Sequence, residues 1–556
     1  MNELSLEALS RGRRAWAFLA LLSLALFLPG IADLPPVDRD EARYLQASRQ
    51  MLETGDWVRI RFQDEARNKK PAGVYWLQAA AMAASGAGTA AWPARLVSVA
   101  GATLAVLLCC FFGERIFDRQ TGFLGAALLA ATADLVFEAH VATTDAVLLP
   151  AAVAAQGTLA LAYLAARRRE ALSVPAALVF WLAQGLALMI KGPVVPLLSL
   201  MTAAVLSLAD RRARWLLALR PLSGLALALA IAAPWLYLIQ RDTGGAFLQE
   251  SVGHDLIGKV LGSQEAHGAV PGYYLALLPV TFWPATLLLG PALTWAWRSR
   301  KLPGSRLLIA WVVPFWIVLE LVPTKLPHYV LPLYPALALA AARAVMVGRE
   351  AGRGRSTLWL ERGFTSLWVL ASLGFAGALV IVPMLLGGAP MLAGAVGAAG
   401  IGVLIWHGAR APEHRPESAS LGVAAALFLT VAGFGFELPA LDALWLSRSA
   451  ADLVAAERRA GETVSSTGYA EPSLVYLMGT GTQLLPAAPA ATALAAHRVA
   501  LSLVAEADVA AFHAALGPDN DRLRALGRVQ GFDYSNGKWL TLHLFRLADA
   551  TEGPLP

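Results

Sequence analysis

The chain contains 556 residues, of which 57% are apolar and 15% are charged, and its formal net charge is +6. Soluble domains carry roughly 25% charged residues, so this composition excludes an ordinary soluble protein and indicates a multi-pass membrane protein. The basic residues form short clusters between apolar runs, a pattern that favours cytoplasmic loops over a nucleic-acid-binding surface. Cys109 and Cys110 are adjacent in one apolar run, so neither a disulfide framework nor a metal site is predicted.

The first apolar run, 15–31, follows Arg11, Arg13 and Arg14. It is longer than the roughly 7–15 residues of a signal-peptide core, so we expect a retained first helix with a cytoplasmic N-terminus.

Apolar runs of about 20 residues predict an all-α polytopic domain over 1–437 with about thirteen transmembrane helices. The predicted spans are roughly 14–32, 92–113, 121–140, 146–165, 172–190, 193–209, 216–239, 271–296, 306–323, 329–347, 363–385, 389–407 and 419–437. The apolar segment 73–85 is short, so it is expected to lie along the membrane interface.

Basic clusters fall on alternate connections between these spans, which predicts that those connections are cytoplasmic. The loops 33–91 and 241–270 then lie on the outer face of the membrane, and so does the tail 438–556, whose composition is that of a small α/β domain. In the tail we predict an amphipathic helix at 447–459, buried strands at 473–477 and 499–504, and an alternating strand at 539–545.

The densest polar block of the chain begins at Asp40 and Glu41, followed by Arg43 and Tyr44. An acidic pair at this position is also typical of a helix start, and spacing alone does not separate the two interpretations. Beside a membrane, a carboxylate can act as general base on an acceptor hydroxyl, so Asp40 and Glu41 are predicted catalytic residues, with Arg43 and Tyr44 contacting substrate.

Lys69 and Lys70 precede Tyr75 in the same loop, and Arg61 adds a further cation. The lysine pair is predicted to bind donor phosphate, because lysine acts as a point charge on phosphate oxygens. Arg61 and Tyr75 are predicted to bind substrate as well. The alternative is a juxtamembrane lysine pair on anionic headgroups, with Tyr75 in an interfacial aromatic belt.

Further polar residues occur at the predicted periplasmic ends of later spans. His140 and Asp145 flank one turn, Lys191 ends a span, and another turn carries several such side chains, namely Lys325, His328 and Tyr329. A lone Asp at a helix start is often only a cap, and lysines at span ends often snorkel. Together they would surround an anion, so Asp145 is a predicted catalytic residue and the others are predicted to bind substrate.

The loop 241–270 contains His254 and His267 among several charged residues. Histidines and carboxylates together suggest a metal site, but the tight ligand spacing of such sites is missing. We therefore predict hydrogen bonding to substrate, with no required cofactor and a divalent metal as the alternative.

These motifs resemble those of the GT-C integral-membrane glycosyltransferases, in particular the lipid A aminoarabinose transferases and protein O-mannosyltransferases. The likeness rests on Asp40-Glu41-Ala42-Arg43-Tyr44, Lys70-Pro71 with Gly73 and Tyr75-Trp76, Asp145, Lys191-Gly192-Pro193 and Lys325-Leu326-Pro327-His328-Tyr329-Val330-Leu331-Pro332. It implies a GT-C fold, with Asp40 as the principal catalytic aspartate, Lys70 as the lysine on donor phosphate and Asp145 as a second loop aspartate. The family often has Glu where this chain has Lys69, which disfavours zinc in this loop and favours a more cationic pocket.

The resemblance implies an inverting glycosyltransferase that uses a polyprenyl-monophosphate-linked sugar as donor. The implied acceptor is lipid A, lipopolysaccharide or another envelope glycan, at the periplasmic face of the bacterial inner membrane, with a protein hydroxyl as the alternative. Rival interpretations are a transporter or flippase of lipid-linked sugars and a membrane scaffold without activity. Transporters place polar sites near the midplane of repeated halves, whereas here the polar residues gather at one face and no repeat is evident.

Overall fold

The computed structural model describes residues 3–251, 253, 258, 268–347, 355–386, 391–410 and 416–548, and most of them are helical. The helices before the loop 241–270 are α1 Glu3–Leu9, α2 Gly12–Phe27, α3 Asp40–Thr54, α4 Gly73–Ser85, α5 Trp92–Ile116, α6 Arg119–Ala131, α7 Ala133–His140, α8 Asp145–Arg168, α9 Val174–Lys191, α10 Val194–Asp210, α11 Pro221–Asp242 and α12 Ala246–Leu248. The later helices of the membrane part are α13 Tyr273–Thr281, α14 Leu289–Arg298, α15 Pro303–Leu321, α16 Tyr334–Val347, α17 Arg355–Leu385, α18 Leu392–Arg410, α19 Pro416–Leu429 and α20 Leu438–Ala440. Short 3₁₀ segments occur at Arg214–Leu219, Ala285–Leu288 and Pro327–Leu333, and a π-helix at Thr430–Glu437.

Every predicted span overlaps a helix or a pair of helices, but the spans differ in length and shape. In the described part of the chain, eight helices are long and apolar enough to cross a membrane, or up to ten if each bent pair is one span. The bent pairs are α6 with α7, at 59°, and α13 with the segment Ala285–Arg298, at 112°. The other predicted spans correspond to the shorter helices α2, α10 and α18. The sequence predicts ordinary spans for these bent and short helices, because hydropathy does not show a bend.

α8 is the central helix of the membrane part, with 94% of its most apolar 18-residue window buried, and it packs against α5 and α9. Two glycines determine how α9 ends and how closely α4 packs against it, near the N-terminal end of α8. Gly192 adopts φ +75° after Lys191, which lets α9 end sharply before Pro193. A Cβ at Gly73 would lie 2.6 Å from the Met189 carbonyl oxygen, so this glycine allows α4 to approach α9 closely.

A small sheet domain follows the membrane helices, as the sequence predicted. Its strands are β3 Val464–Thr467, β4 Gln483–Leu484, β5 Leu501–Ala505, β6 Leu523–Asp533 and β7 Lys538–Leu547; β1 Arg61–Phe62 and β2 Glu65–Ala66 form a separate hairpin near α3. The strand order is β4-β3-β5-β7-β6, with β3 parallel to β4 and β5, and β7 antiparallel to β5 and β6. The helices are α21 Leu446–Glu457, α22 Pro472–Met478, α23 Ala487–Ala495 and α24 Glu506–Leu516.

Three elements of this domain match their predictions and one does not. The predicted helix at 447–459 corresponds to α21, and the strands at 499–504 and 539–545 correspond to β5 and β7. The predicted strand at 473–477 is wrong, because these residues lie in α22. Pro472 stands at the first position of this helix, where its missing N–H has no cost, and all-round burial removes the periodicity that separates a short helix from a strand.

The sheet domain docks on the membrane part mainly through α22. Tyr476 is fully buried in a small apolar cluster with Leu45, Met82 and Ala94. Arg49 of α3 donates to the Tyr476 carbonyl at 2.9 Å. The docking places the β6–β7 turn beside the N-terminus of α3, where the polar residues gather.

Candidate active site

A cavity of about 440 Å³ lies where the N-terminus of α3, the turn between α7 and α8, and the end of α9 meet. The loop before α4, the segment 324–329 and the β6–β7 turn of the sheet domain complete its wall. Its lining residues are Val37, Asp38, Arg39, Asp40, Glu41, Arg43, Tyr44, Arg67, Lys69, Lys70, Phe137, Glu138, Val141, Thr143, Thr144, Asp145, Lys191, Thr324, Leu326, His328, Tyr329, Tyr534 and Ser535. The predicted catalytic carboxylates and the lysine pair are therefore neighbours in space.

Glu41 is committed to an internal ion pair. Its carboxylate is 2% exposed and receives two 2.8 Å hydrogen bonds from Arg95, which is itself fully buried. The backbone N–H groups of Val37 and Ala142 donate to the same carboxylate at 2.8 and 2.7 Å. Each oxygen of this carboxylate therefore accepts two hydrogen bonds from protein groups, which hold the chain around Glu41 in place. The predicted catalytic role of Glu41 stays a prediction.

Asp38 is also engaged, but by the sheet domain. Its carboxylate accepts hydrogen bonds from the Ser473 N–H at 2.7 Å and from the Ser473 hydroxyl at 2.5 Å. The next residue, Arg39, reaches Glu471 and Asn536 of the same domain. Two of the three carboxylates between Asp38 and Glu41 therefore hold the turn in place from opposite sides.

Asp40 lies between these two anchors, at the first position of α3, and its side chain is exposed to the cavity. Among the described residues that line the cavity, it is the one carboxylate that makes no hydrogen bond or ion pair. A carboxylate at a helix N-terminus is stabilised as an anion by the helix dipole. Asp40 is thus placed to accept a proton or to orient an acceptor group.

Four ionisable residues form the wall around the α7–α8 turn: Glu138 and Asp145 flank the turn, Lys191 comes from the end of α9 and His328 from the segment 324–329. Lys191 donates to both Asp145 carboxylate oxygens, at 2.6 and 2.7 Å. His328 has Nδ1 3.3 Å from a Glu138 carboxylate oxygen and Nε2 3.7 Å from an Asp145 oxygen. This network positions the imidazole of His328 at the cavity surface and matches the charge of Lys191 with that of Asp145.

The loop before α4 brings cations to the other side. Lys69, Lys70 and Arg67 line the cavity, and the Arg67 guanidinium lies 5.4 Å from the centroid of the Tyr44 ring. Burial raises the pKa of the Tyr44 phenol well above its ordinary value, so this tyrosine stays protonated. Three cations therefore face the same space as Asp40, an arrangement that suits a phosphate next to a general base.

Comparison with known proteins gives three findings. The family described as dolichyl-phosphate-mannose-protein mannosyltransferase matches residues 69–238. The undecaprenyl phosphate-alpha-4-amino-4-deoxy-L-arabinose arabinosyl transferase of Erwinia tasmaniensis is 32% identical over 305 residues, covering 54% of each chain. Its counterpart in Pseudomonas aeruginosa LESB58 is 30% identical over 367 residues, covering 63% of this chain and 65% of that protein.

The crystal structure of ArnT from Cupriavidus metallidurans bound to undecaprenyl phosphate superimposes on this chain with a TM-score of 0.74. The superposition covers 97% of this chain and 98% of that one at 18% identity, so it shows a common fold. This chain resembles the GT-C glycosyltransferases of the aminoarabinose transferase and protein mannosyltransferase group. Its sequence matches span about half to two thirds of the curated relatives' length.

Most of the predicted site residues line the cavity. The lining contains the predicted residues Asp40, Glu41, Arg43, Tyr44, Lys69, Lys70, Asp145, Lys191, His328 and Tyr329. His254 and His267 lie outside the described residues.

Four predicted substrate-binding residues lie outside the lining. Arg61 is on β1, away from the cavity wall. Tyr75 is fully buried behind the wall, its ring centroid 5.1 Å from that of Tyr44. His140 is buried with its ring nitrogens 2.7 and 3.0 Å from the carbonyl oxygens of Val136 and Pro29. Lys325 is buried and donates to backbone carbonyls. The side chains of Tyr75, His140 and Lys325 are hydrogen-bonded to protein groups in this position. Substrate contact by these four residues stays a prediction.

Sequence reasoning also missed residues that build the site. Arg95 carried a detectable signal, because an arginine in the first turn of an apolar span needs a partner. Tyr534 and Ser535, which line the cavity from the sheet domain, had no local signal, since only the docking of that domain brings them near Asp40. The described residues contain no group of three or more His, Cys, Asp or Glu side chains arranged to hold a metal ion.

Proposed function

We propose that this protein is an inverting glycosyltransferase that transfers a sugar from a polyprenyl-monophosphate donor to a lipid A, lipopolysaccharide or other envelope acceptor. The observation that carries this proposal is the exposed carboxylate of Asp40, which lies in the cavity opposite the cations of the loop before α4. The similar curated proteins support the donor class, because each is an undecaprenyl phosphate-alpha-4-amino-4-deoxy-L-arabinose arabinosyl transferase. The ArnT structure from Cupriavidus metallidurans also supports this donor class, because it contains bound undecaprenyl phosphate.

In the proposed reaction Asp40 accepts the proton of an acceptor hydroxyl as its oxygen attacks the anomeric carbon of the donor sugar. The bond to the polyprenyl phosphate breaks, and Lys70, Lys69 and Arg67 stabilise the charge that develops on the leaving phosphate. The other lining carboxylates are bonded to protein groups, so a single displacement with inversion is favoured over a covalent glycosyl-enzyme. The donor's phosphodiester already holds the required energy, so neither nucleotide nor metal is proposed.

The acceptor side of the proposal rests on a second cleft. A volume of about 770 Å³ between the β1–β2 hairpin and the sheet domain adjoins the cavity and shares Arg39, Arg43, Arg67 and Lys69 with it. This volume is within the roughly 300–1,000 Å³ of typical ligand sites. Shared cations at the junction suit a phosphorylated sugar headgroup better than a neutral protein hydroxyl.

The test is reconstitution of the purified protein in vesicles with undecaprenyl-phosphate-linked sugars and lipid A. Mass spectrometry and NMR of the product should show transfer with inverted anomeric configuration, without nucleotide sugar and in the presence of a chelator. A chelator-sensitive reaction would contradict the metal-free proposal, and the absence of transfer with every donor offered would contradict the enzymatic one.

A transporter of lipid-linked sugars is the second candidate, and the two bent helix pairs favour it. The N–H of Ala133, at the break of the first pair, donates to the carbonyl of Trp283, at the break of the second, at 2.7 Å. Transporters use such broken helices to form a site at midplane. Here the charged cavity lies at the end of the helices, which favours the enzyme. Movement of labelled donor across the vesicle membrane without product formation would favour the transporter.

Lys70→Ala is expected to weaken binding of undecaprenyl phosphate more than Lys69→Ala does. Lys70 is half-buried in the catalytic cavity, whereas Lys69 is exposed and also borders the outer cleft. A charge held in a less solvated position interacts more strongly with phosphate. Titration of both purified variants with undecaprenyl phosphate measures the difference. Equal affinities would show that Lys70 is only a headgroup anchor.

We further propose that the cavity and the sheet domain are periplasmic and that the N-terminus is cytoplasmic. The 24 residues of α8 run from Asp145 at the cavity to Arg168, a distance on the order of 35 Å. At that far end Arg167 and Arg306 both bind Asp210, so basic residues from the ends of separate helices gather opposite the cavity.

A reporter active only outside the cytoplasm is therefore expected to be active when fused after residue 440 and silent when fused near Arg212. The activity of the reporter, measured in cells that carry each fusion, shows on which side of the membrane each fusion point lies. A silent fusion at 440 would place the cavity on the cytoplasmic side, where the proposed donor is not presented in this family.

A further inference from the structure

The sheet domain holds the turn that carries Asp40 at two residues: Arg39 donates to Glu471 and Asn536, and Asp38 makes the more buried contact. The Asp38 carboxylate receives both hydrogen bonds of Ser473, and the Asp38 N–H donates to the Tyr534 hydroxyl at 2.7 Å. Ser473 is 1% exposed, and its hydroxyl lies 2.5 Å from that of Ser447. The contact is thus a buried, multiply hydrogen-bonded one rather than a surface touch.

Resting on the proposed function, we propose that Asp38 is a positioning residue through which Ser473 sets the geometry of Asp40. The link is short, because only Arg39 separates the two aspartates. The turn also closes on α3 itself, since the Ala42 N–H donates to the Val37 carbonyl at 3.1 Å. A shift of Asp38 is therefore transmitted directly to the first residue of the helix.

The alternative, that this contact only docks the sheet domain, is disfavoured by the separate contacts that already do so. Tyr476 fills an apolar cluster of the membrane part, and the Gln46 side chain donates to the Thr480 hydroxyl at 2.7 Å. Gln63 donates to the carbonyls of Thr480 and Thr482. None of these bonds involves the turn before α3, so docking does not require Asp38.

The chemistry of the contact predicts which substitution of Asp38 is tolerated. Burial raises the pKa of the Asp38 carboxyl to about 7, and Glu471 and Asp533 nearby act in the same direction against the hydrogen bonds from Ser473. A neutral carboxyl therefore fits the site. The asparagine side chain has a similar shape, one acceptor for the Ser473 N–H and donors for its hydroxyl.

The experiment compares Asp38→Ala, Asp38→Asn and Ser473→Ala with Ser465→Ala as the matched control. Ser465 is a fully buried serine of the same sheet, bonded to the Ser502 hydroxyl at 2.9 Å and outside both cavities. Asp38→Ala and Ser473→Ala should lower kcat about 10–100-fold with unchanged affinity for undecaprenyl phosphate, because a small misplacement of a catalytic group is sufficient for such a loss. Asp38→Asn should restore kcat, and Ser465→Ala should lower thermal stability without lowering kcat.

The decisive measurement is the double variant Asp38→Ala with Asp40→Asn. If Asp38 acts through Asp40, the double variant turns over no more slowly than Asp40→Asn alone, because there is no further positioning to lose. If the losses of kcat in the two single variants multiply in the double variant, the positioning role is overturned while the proposed function stays intact. An unchanged kcat in Asp38→Ala would have the same consequence. Full activity of Asp40→Asn would instead overturn the general-base role and this inference together.

Discussion

Replacing Asp40 with asparagine is expected to lower kcat about 10²–10⁴-fold, the usual effect of removing a general base. The reason is specific to this cavity. Asp38 is bonded to Ser473 and Glu41 to Arg95, so no neighbouring carboxylate of the turn can take over the proton. Asparagine keeps the size of the side chain and its place at the helix start. Expression and thermal stability should therefore remain close to those of the unmodified protein.

The matched control for this prediction is Asp33→Asn. Asp33 is an exposed carboxylate of the same loop that lies outside the cavity lining, so its substitution should leave transfer unchanged. Initial rates of transfer from undecaprenyl-phosphate-linked sugar, measured per folded protein, provide the comparison. Near-normal turnover by Asp40→Asn would exclude the general-base role, and equal losses in both variants would indicate a general effect of charge in the loop.

The sequence was sufficient to predict the membrane part and most of the cavity, because its signals are local. Runs of apolar residues mark helices, and the charged groups between them are costly to bury, so they had to gather at the ends of spans or in a polar cavity. Asp40 and Lys70 lie in the polar loop between the first two predicted spans, Asp145 lies at the end of a later span, and the cavity brings the three together.

What the sequence could not predict depends on pairings between distant residues. Glu41 and Asp40 are adjacent and chemically alike, yet one is saturated by Arg95 from another helix and the other faces the cavity. Lys70 lies in the loop before α4 and Lys325 in the turn after α15, so their sequence contexts are similar. Lys70 lines the cavity, whereas Lys325 is buried and donates to backbone carbonyls. Likewise the role of Ser473 appears only after α22 docks beside α3. Burial of a side chain and the identity of its partner are tertiary properties, and no local pattern encodes them.

Arg95→Leu is expected to cost about 3–5 kcal/mol of stability, because it leaves the Glu41 carboxylate buried without its counter-charge. It also removes the donors to the carbonyls of Ile31, Leu34 and Pro35, which hold the loop before α3. The effect should be measured as the shift in thermal or denaturant unfolding of the purified protein. Since the same pair anchors the turn of Asp40, transfer activity should fall as well.

The control is Arg119→Leu, which breaks an exposed pair with Glu114 at 3.1 Å. Exposed pairs contribute about 0–1 kcal/mol, because solvent screens the charges and the side chains lose entropy on pairing. Combining Arg95→Leu with Glu41→Gln should recover part of the stability, since the neutral amide no longer buries a charge but can still accept from the Ala142 N–H. Equal unfolding of Arg95→Leu and Arg119→Leu would show that the buried pair does not hold the turn. A double variant less stable than Arg95→Leu alone would show that the lost bonds to the loop, and not the uncompensated carboxylate, dominate the cost.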